Sequence, residues 1–289
     1  MFFSIIIPTC NRNGFLSRCL DLLAPGVQTL DSIQYHVVVT DDGESTLTKK
    51  MIEEKYSWAQ WVAGPCKGPA ANRNNGVKYA KAKWILFLDD DCLPATDILE
   101  TYKSYIFSNP SIDVFEGKVE RPNTRKSILE YAPCNYHGGN LWSCNFAIDK
   151  SVFDEIGGFD ENFKYAHLED TDLKRRIEAT NRKIMFAIEA RVQHPWRKIN
   201  GKSLGRNEEM SVYFSFKYGE NSNLMNYSKR IAGYHLAMLK RTFFTLEIFP
   251  AIKITSQHLG IVLLNFHKWK KKYSNLQLSG IQVKNTEKK

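Results

Sequence analysis

Trp84-Ile85-Leu86-Phe87-Leu88 is a wholly apolar run that stops abruptly at Asp89-Asp90-Asp91-Cys92. Consecutive apolar residues bounded by charge read as a strand buried on both faces, the kind found inside parallel sheets. Successive carboxylates at the end of such a strand repel one another and are costly to desolvate unless something positive meets them. A hard divalent cation bridging to phosphate oxygens does this with one or two carboxylates. Along an extended chain, alternation sets Asp89 and Asp91 on one side and Asp90 on the other. Asp89 and Asp91 are therefore the candidate ligands for such a cation; an exposed acidic turn is the plainer alternative.

The pattern recurs outward from this strand. Ser4-Ile5-Ile6-Ile7-Pro8 and His36-Val37-Val38-Val39-Thr40 are similar short apolar runs, and the second ends in Asp41-Asp42-Gly43. Trp61-Val62-Ala63 is a shorter one. Between them lie stretches of helical spacing at 15–23, 47–56, 69–82 and 96–107. Strands alternating with helices predict βαβ units on a mostly parallel, Rossmann-like α/β sheet flanked by helices. Ligands of such sheets bind beyond the carboxyl ends of the strands, so Thr9, Asp41, Asp42 and Asp89 to Asp91 should converge on one crevice.

Four further groups carry possible chemistry. In Gly68-Pro69-Ala70-Ala71-Asn72-Arg73, Pro69 sits at a helix start and Arg73 one turn in, placed for a nucleotide or for solvent. In His167-Leu168-Glu169-Asp170-Thr171-Asp172, acids open an amphipathic helix, which the helix dipole favours. Glu169 or Asp170 could also present a general base to a cleft. The turn Gly157-Gly158-Phe159-Asp160-Glu161 could aim that helix. His194 is a lone histidine, either packed or a metal ligand. Tyr136-His137-Gly138-Gly139-Asn140-Leu141-Trp142 reads as a flexible loop with an aromatic platform at Trp142, or as a core tryptophan.

Composition narrows the class. The 289 residues are 43% hydrophobic and 25% charged, which excludes disordered, collagen-like and disulfide-scaffold chains. Six cysteines without a CxxC pair read as reduced thiols. No 18-residue apolar run and no basic leader are present, so neither a membrane span nor a signal peptide is expected. The net charge is +9, and it is uneven. Residues 229–289 hold 12 basic and two acidic side chains, a net +10, which leaves −1 for residues 1–228. A catalytic domain is expected over 1–227, and a basic, largely helical extension over 228–289, disordered after about 279. Basic groups beside apolar helical stretches such as 259–264 suit an anionic membrane surface better than nucleic acid.

These pieces, in this order, resemble the family 2 glycosyltransferases of the GT-A fold. The resemblance is carried by Ser4-Ile5-Ile6-Ile7-Pro8-Thr9 with Asn11-Arg12, Val39-Thr40-Asp41-Asp42-Gly43, Gly68 to Asn74, and the D-x-D of Asp89 and Asp91. Cys144-Asn145-Phe146-Ala147-Ile148, Gly157 to Glu161 and Glu169-Asp170-Thr171-Asp172-Leu173 complete it over residues 4–173. It implies an inverting, metal-dependent transferase of a hexose or N-acetylhexosamine. The donor would be a nucleotide-sugar, expected to be a UDP-sugar, and the acceptor a glycan or lipid-linked glycan in bacterial surface polysaccharide or glycoconjugate assembly. By position, Pro8, Thr9, Asn11, Arg12, Asp41, Asp42, Arg73, Asp89 and Asp90 fall on the donor side. Asp89, Asp91 and His194 fall at the metal, and Asp170, with Glu169 beside it, at the general base. Gly139, Asn140 and Trp142 are placed at the acceptor. The protein would be cytoplasmic, peripheral on the inner face of the cytoplasmic membrane. The chain departs from the family pattern at Thr40, where an apolar residue is commoner, and at Asn72, where a small one is usual. The alternatives are a nucleotidyltransferase, an Asp-nucleophile phosphatase, or a silent GT-A-like scaffold. The first two want a Gly-rich loop or a nucleophilic Asp after the first strand, where Pro8-Thr9-Cys10 stands instead.

Overall fold

β1 (Phe3–Thr9) is buried along its whole length, as its isoleucine run dictates. In the computed structural model, which describes residues 1–44, 46–219 and 224–278, β1 pairs in parallel with β2 (Tyr35–Asp41). β3 (Gln60–Ala63) extends the parallel set beyond β2, and β4 (Trp84–Leu88) flanks β1 on its other side. In register, Thr9 lies opposite Asp41, so both strands deliver their polar ends to one edge of the sheet. The sheet continues through β5 (Leu93–Pro94), β6 (Val114–Glu120), β8 (Asn145–Asp149) and β9 (Ile184–Gln193), in the order β3-β2-β1-β4-β8-β6-β9-β5. β8 is antiparallel to both β4 and β6, while β6 and β9 are parallel. β7 (Glu130–Tyr131) and β10 (Arg197–Lys198) form a separate antiparallel ladder.

The helices follow from spacing and caps. α1 (Asn13–Leu23) buries Leu16, Cys19, Leu20 and Leu23, one face at helical period. Each such side chain removed from water contributes about 1.5–3 kcal/mol. α2 (Leu47–Lys55), α3 (Pro69–Val77) and α4 (Ile98–Ser108) succeed β2, β3 and β5; α5 (Lys150–Glu155) and α6 (Glu169–Glu178) follow β8. α3 ends short of the expected 82. Its last turns tighten at Lys78, Tyr79 and Ala80. The next amides, of Lys81 and Ala82, donate at 2.9 and 3.0 Å to Ser4 Oγ on β1 instead of continuing the helix.

The chain divides into two units, Met1–Asn123 with Ala132–Trp196, and Thr124–Tyr131 with Arg197–Lys289. The expected boundary at 227/228 is therefore not where the chain divides. α7 (Gly201–Lys217) belongs with α8 (Leu224–Thr242) and α9 (Ile248–Leu278). Gly205 approaches α9 so closely that a Cβ there would lie 2.7 Å from Ile261, a contact no single-sequence pattern announces. The expected disordered tail after 279 lies outside the described residues. Among the described residues no helix is long and apolar enough to cross a membrane.

The second unit is pinned by a buried polar chain. Thr255 Oγ1 meets His235 Nδ1 at 3.0 Å, and His235 Nε2 meets His258 Nδ1 at 2.9 Å. His258 Nε2 lies 3.5 Å from Glu208, which Arg230 also binds. Burial, and secondarily His258, lowers the pKa of His235 from 6.5 to about 4. The unfolded chain therefore takes up a proton that the folded one refuses as pH falls from 6.5 towards 4, and stability is lost over that window. A thermal-denaturation series from pH 7 to 4 should show this fall, and His235→Asn should flatten it.

Candidate functional site

The acidic turn after β4 is bent, with the Cys92 amide donating to the Asp89 carbonyl at 3.1 Å. It separates the three carboxylates. Asp90 turns inward, fully buried. It accepts from Thr9 Oγ1 at 2.7 Å and Arg12 Nε at 3.0 Å, with Arg12 Nη2 2.5 Å from its other oxygen. Burial outweighs both partners and pushes its pKa up to about 7. Thr9, Arg12 and Asp90, all expected on the donor side, thus bind one another. Pro8 is buried in β1 opposite Thr40. Asn11 is exposed, in the left-handed conformation at φ 55°.

Asp91 faces His194. His194 Nδ1 lies 3.0 Å from the Pro195 carbonyl, which can only accept, so in the neutral ring Nδ1 carries the proton and Nε2 the lone pair. That Nε2 lies 3.5 Å from Asp91 Oδ1. The ligand atoms of Asp91, Cys92 and His194 fall within 4.8 Å of one another. Burial, then the Cys144 contact, holds the Cys92 thiol well above its ordinary pKa and so protonated. The usable donors are a carboxylate, which suits Mn²⁺ or Mg²⁺, and an imidazole, which the oxygen-preferring Mg²⁺ takes less readily.

Asp89 leans the other way. Its Oδ1 accepts from Arg73 Nη2 at 2.7 Å, and Arg73 Nη1 reaches Glu169 Oε1 at 3.2 Å. Arg73 is buried, with its guanidinium carbon 5.5 Å from the Phe159 ring centroid. Burial disfavours its charge, but Asp89 and Glu169 more than compensate, and its pKa is raised. Arg73 is thus the tie between the D-x-D turn and the start of α6, where the sequence alone suggested a nucleotide contact or a solvent-facing side chain. Asn74 holds Phe159 in place, donating to its carbonyl at 2.8 Å and accepting from its amide at 2.9 Å.

At the start of α6, Glu169 is buried, and burial with the neighbouring Asp170 charge lifts its pKa to about 8. Asp170 is partly exposed. It accepts the Thr171 amide at 2.8 Å and also the Ser143 amide, and burial raises its pKa. A carboxylate fixed by two amides, with its proton affinity raised, fits a general base.

On β2, Asp41 is buried and accepts from the Gly43 amide at 2.8 Å. Asp42 accepts from the amides of Cys66 at 2.9 Å and Gly68 at 3.2 Å, so it shapes the loop before α3. Gly68 stands at φ 99°, where a Cβ would lie 2.3 Å from the Lys164 carbonyl oxygen. The two departures from the family pattern explain each other. Thr40 Oγ1 donates to Asn72 Oδ1 at 2.6 Å, and Asn72 Nδ2 donates to the carbonyls of Thr40 at 2.9 Å and Thr9 at 3.3 Å. Asn72 thereby ties β1, β2 and α3 together behind the site. Asn72→Ala should cost about 1–3 kcal/mol, because it strands buried polar groups. In a double-mutant cycle with Thr40→Val by urea unfolding, the pair should show a coupling of about 0.5 kcal/mol or more; additivity would mean the two are independent.

The loop at Gly139, Asn140 and Trp142 is braced by hydrogen bonds. Buried Glu116 accepts from the amides of Asn140 at 3.0 Å and Leu141 at 2.8 Å, from the Gly139 amide, and from Asn135 Nδ2 at 3.2 Å. Lys174 of α6 donates to the Gly139 carbonyl at 2.8 Å. Trp142 is half-buried and packs against the main core, closer to the core reading than to an open platform. Gly139 and Asn140 remain exposed. Glu116 and Ser143 drew no attention in the sequence. Only the positive φ of Gly138 and Gly139, at 79° and 91°, had a local signal in their Gly-Gly pair.

A mostly parallel sheet with a D-x-D turn, a carboxylate-bearing helix and a histidine at one edge defines a GT-A fold. The same fold is seen in S. aureus TarS 1-349 in complex with UDP, with a TM-score of 0.55 at 17% identity over 98% of this chain and 93% of that one. The complex with UDP-GlcNAc gives 0.56 at 18% identity, over 95% and 92%. The chain belongs to glycosyl transferase family 2, whose model matches residues 4–157. A second model, N-terminal domain of galactosyltransferase, matches 123–200. The poly(ribitol-phosphate) beta-glucosyltransferase of Bacillus spizizenii is 30% identical over 130 residues, 43% of this chain and 20% of that protein. The GalNAc(5)-diNAcBac-PP-undecaprenol beta-1,3-glucosyltransferase of Campylobacter jejuni is 31% identical over 140 residues, 43% of each. The match thus spans less than half the length of either relative.

Proposed function

We propose that the protein transfers a hexose or N-acetylhexosamine from a UDP-sugar to a hydroxyl of a glycan or lipid-linked glycan, with inversion, in surface polysaccharide or glycoconjugate assembly. The observation that carries this is the Asp89–Arg73–Glu169 tie. It holds a D-x-D turn and the carboxylate of Asp170 at one edge of a GT-A sheet. Asp170 removes the proton of the acceptor hydroxyl as its oxygen bonds to the anomeric carbon, and the bond from that carbon to the diphosphate oxygen breaks. Nucleoside diphosphate leaves with the bonding pair. Asp91 and His194 would hold Mn²⁺ or Mg²⁺, which when bound supplies Lewis-acid stabilisation of the departing diphosphate, while Asp89 is engaged by Arg73. Asp41 and Asp42, at the carboxyl end of β2, would meet the nucleobase or ribose. The relatives' names support a cell-surface acceptor, one naming poly(ribitol-phosphate) and one an undecaprenol diphosphate. A cytoplasmic protein resting peripherally on the inner membrane face through its basic 228–289 segment is consistent with such an acceptor.

Thermal shift with UDP, GDP, dTDP and CMP, with and without Mn²⁺, tests this. UDP with Mn²⁺ should stabilise the fold by about 2.7 kcal/mol at a hundredfold excess over Kd. Asp91→Asn and His194→Gln should each remove the metal dependence. Stabilisation by no nucleotide would favour a silent scaffold instead.

A further inference from the structure

Between α8 and α9 the chain turns through Phe243-Phe244-Thr245-Leu246, and its apolar side chains face outward. Phe244 is 94% exposed, Leu246 89%, Phe249 73% and Phe243 66%. The turn is nevertheless built. Thr242 is buried and donates to the Met238 carbonyl, and Thr245 returns both its amide and its hydroxyl to the Thr242 carbonyl, at 2.9 and 2.8 Å. Ala251 and Ile254 beneath it pack with Met238 and Leu129. The exposed apolar stripe continues on α9 through Ile252, Leu263 and Leu264, at helical spacing. Lys240, Arg241 and Lys253 flank the turn in sequence and are exposed, and Lys268 and Lys271 are exposed farther along α9. Glu247 is the sole acid in the sequence from 224 to 278, and it is engaged by the Ile128 amide at 3.0 Å.

We propose that this turn is a membrane-inserting apex. Phe243, Phe244, Leu246 and Phe249 would enter the interfacial layer of a bilayer, and the flanking lysines and arginine would meet anionic headgroups. This rests on the peripheral-membrane reading above and names the element responsible. Aromatic and aliphatic side chains ringed by cations are the composition of interfacial helices. A second copy of the chain fits the patch less well, because pairing it with itself sets lysines against lysines with no carboxylate to meet them. Nucleic acid would leave the apolar tip unsatisfied.

The full chain is sedimented with vesicles of phosphatidylcholine alone and of an equal mixture with phosphatidylglycerol. Wild type should bind the mixed vesicles. The double variant Phe244→Ser/Leu246→Ser, both sites being nearly free of packing, should bind them about tenfold or more weakly. Lys240→Glu/Lys253→Glu should also weaken binding, most at low salt. If the serine variant binds as wild type does while the glutamate variant does not, the apex proposal fails and the peripheral reading stands. If wild type binds neither vesicle, both fail. Light scattering on the same samples covers the other occupant. A wild-type dimer that the serine variant abolishes, without vesicle binding, would overturn the proposal in favour of self-association.

Discussion

Asp170→Asn should lower turnover by about 10²–10⁴-fold while leaving nucleotide affinity within about twofold of wild type. Asparagine keeps the size of the side chain and an oxygen for the Thr171 amide, so the start of α6 should hold its shape. What it loses is the capacity to take the acceptor proton. The wild-type profile should carry a matching signature. Burial raises the pKa of Asp170 above its ordinary value, so the acid limb of kcat/KM should lie above that of an ordinary aspartate and vanish in the variant. Asp170 and Glu169 are adjacent, and that limb belongs to the pair. Glu169→Gln separates the two roles. Glu169, at about 8, is largely protonated at neutral pH, and glutamine mimics that state, so its loss of turnover should be much smaller. Near-normal turnover in Asp170→Asn, measured with a UDP-sugar alongside UDP binding by thermal shift, would remove Asp170 as the base.

The elements that carry this chemistry differ in how far local sequence specifies them. Strands β1, β2 and β4 are legible because each is a short apolar run bounded by polar residues, and burial on both faces leaves no other reading. Their polar ends converge as expected, since parallel strands share a carboxyl edge. What Asp89, Asp90 and Asp91 each do is not legible. Alternation presumes an extended chain, and the Asp89–Cys92 turn replaces that rule with partners far away in sequence, Arg73, Thr9 with Arg12, and His194. Glu116 is hidden for the same reason, because its partners are amides of a loop more than twenty residues on. Thr40 and Asn72 were visible as departures from a pattern. Their meaning appears only when β2 and α3 are side by side. The placement of α7 rests on close approaches to α9 at Gly201 and Gly205, which composition and charge do not encode.

Arg73→Met should destabilise the fold by about 3–5 kcal/mol at pH 9, where Glu169 is ionised, because it removes the cation from a buried network and leaves the carboxylates of Asp89 and Glu169 behind. The methionine fills much of the same volume against Phe159, so the loss is electrostatic more than steric. The pH dependence distinguishes this from simple misfit. Glu169 has a folded pKa raised above its ordinary 4.5, so its contribution to stability is fully present below 4.5 and is lost as pH rises through about 8. Arg73 is the group that pulls that value down. Without it the folded state holds the Glu169 proton more tightly, and stability continues to fall to higher pH. The deficit of Arg73→Met relative to wild type, from urea unfolding, should therefore be larger at pH 9 than at pH 6. Arg73→Lys keeps the charge but not the fork. An ammonium cannot span Asp89 and Glu169 as two guanidinium nitrogens do, so it should recover part of the stability and little of the donor affinity. A pH-independent deficit would mean that Arg73 acts by packing alone, and an unchanged stability would mean that the Asp89 turn and α6 are held together by something else.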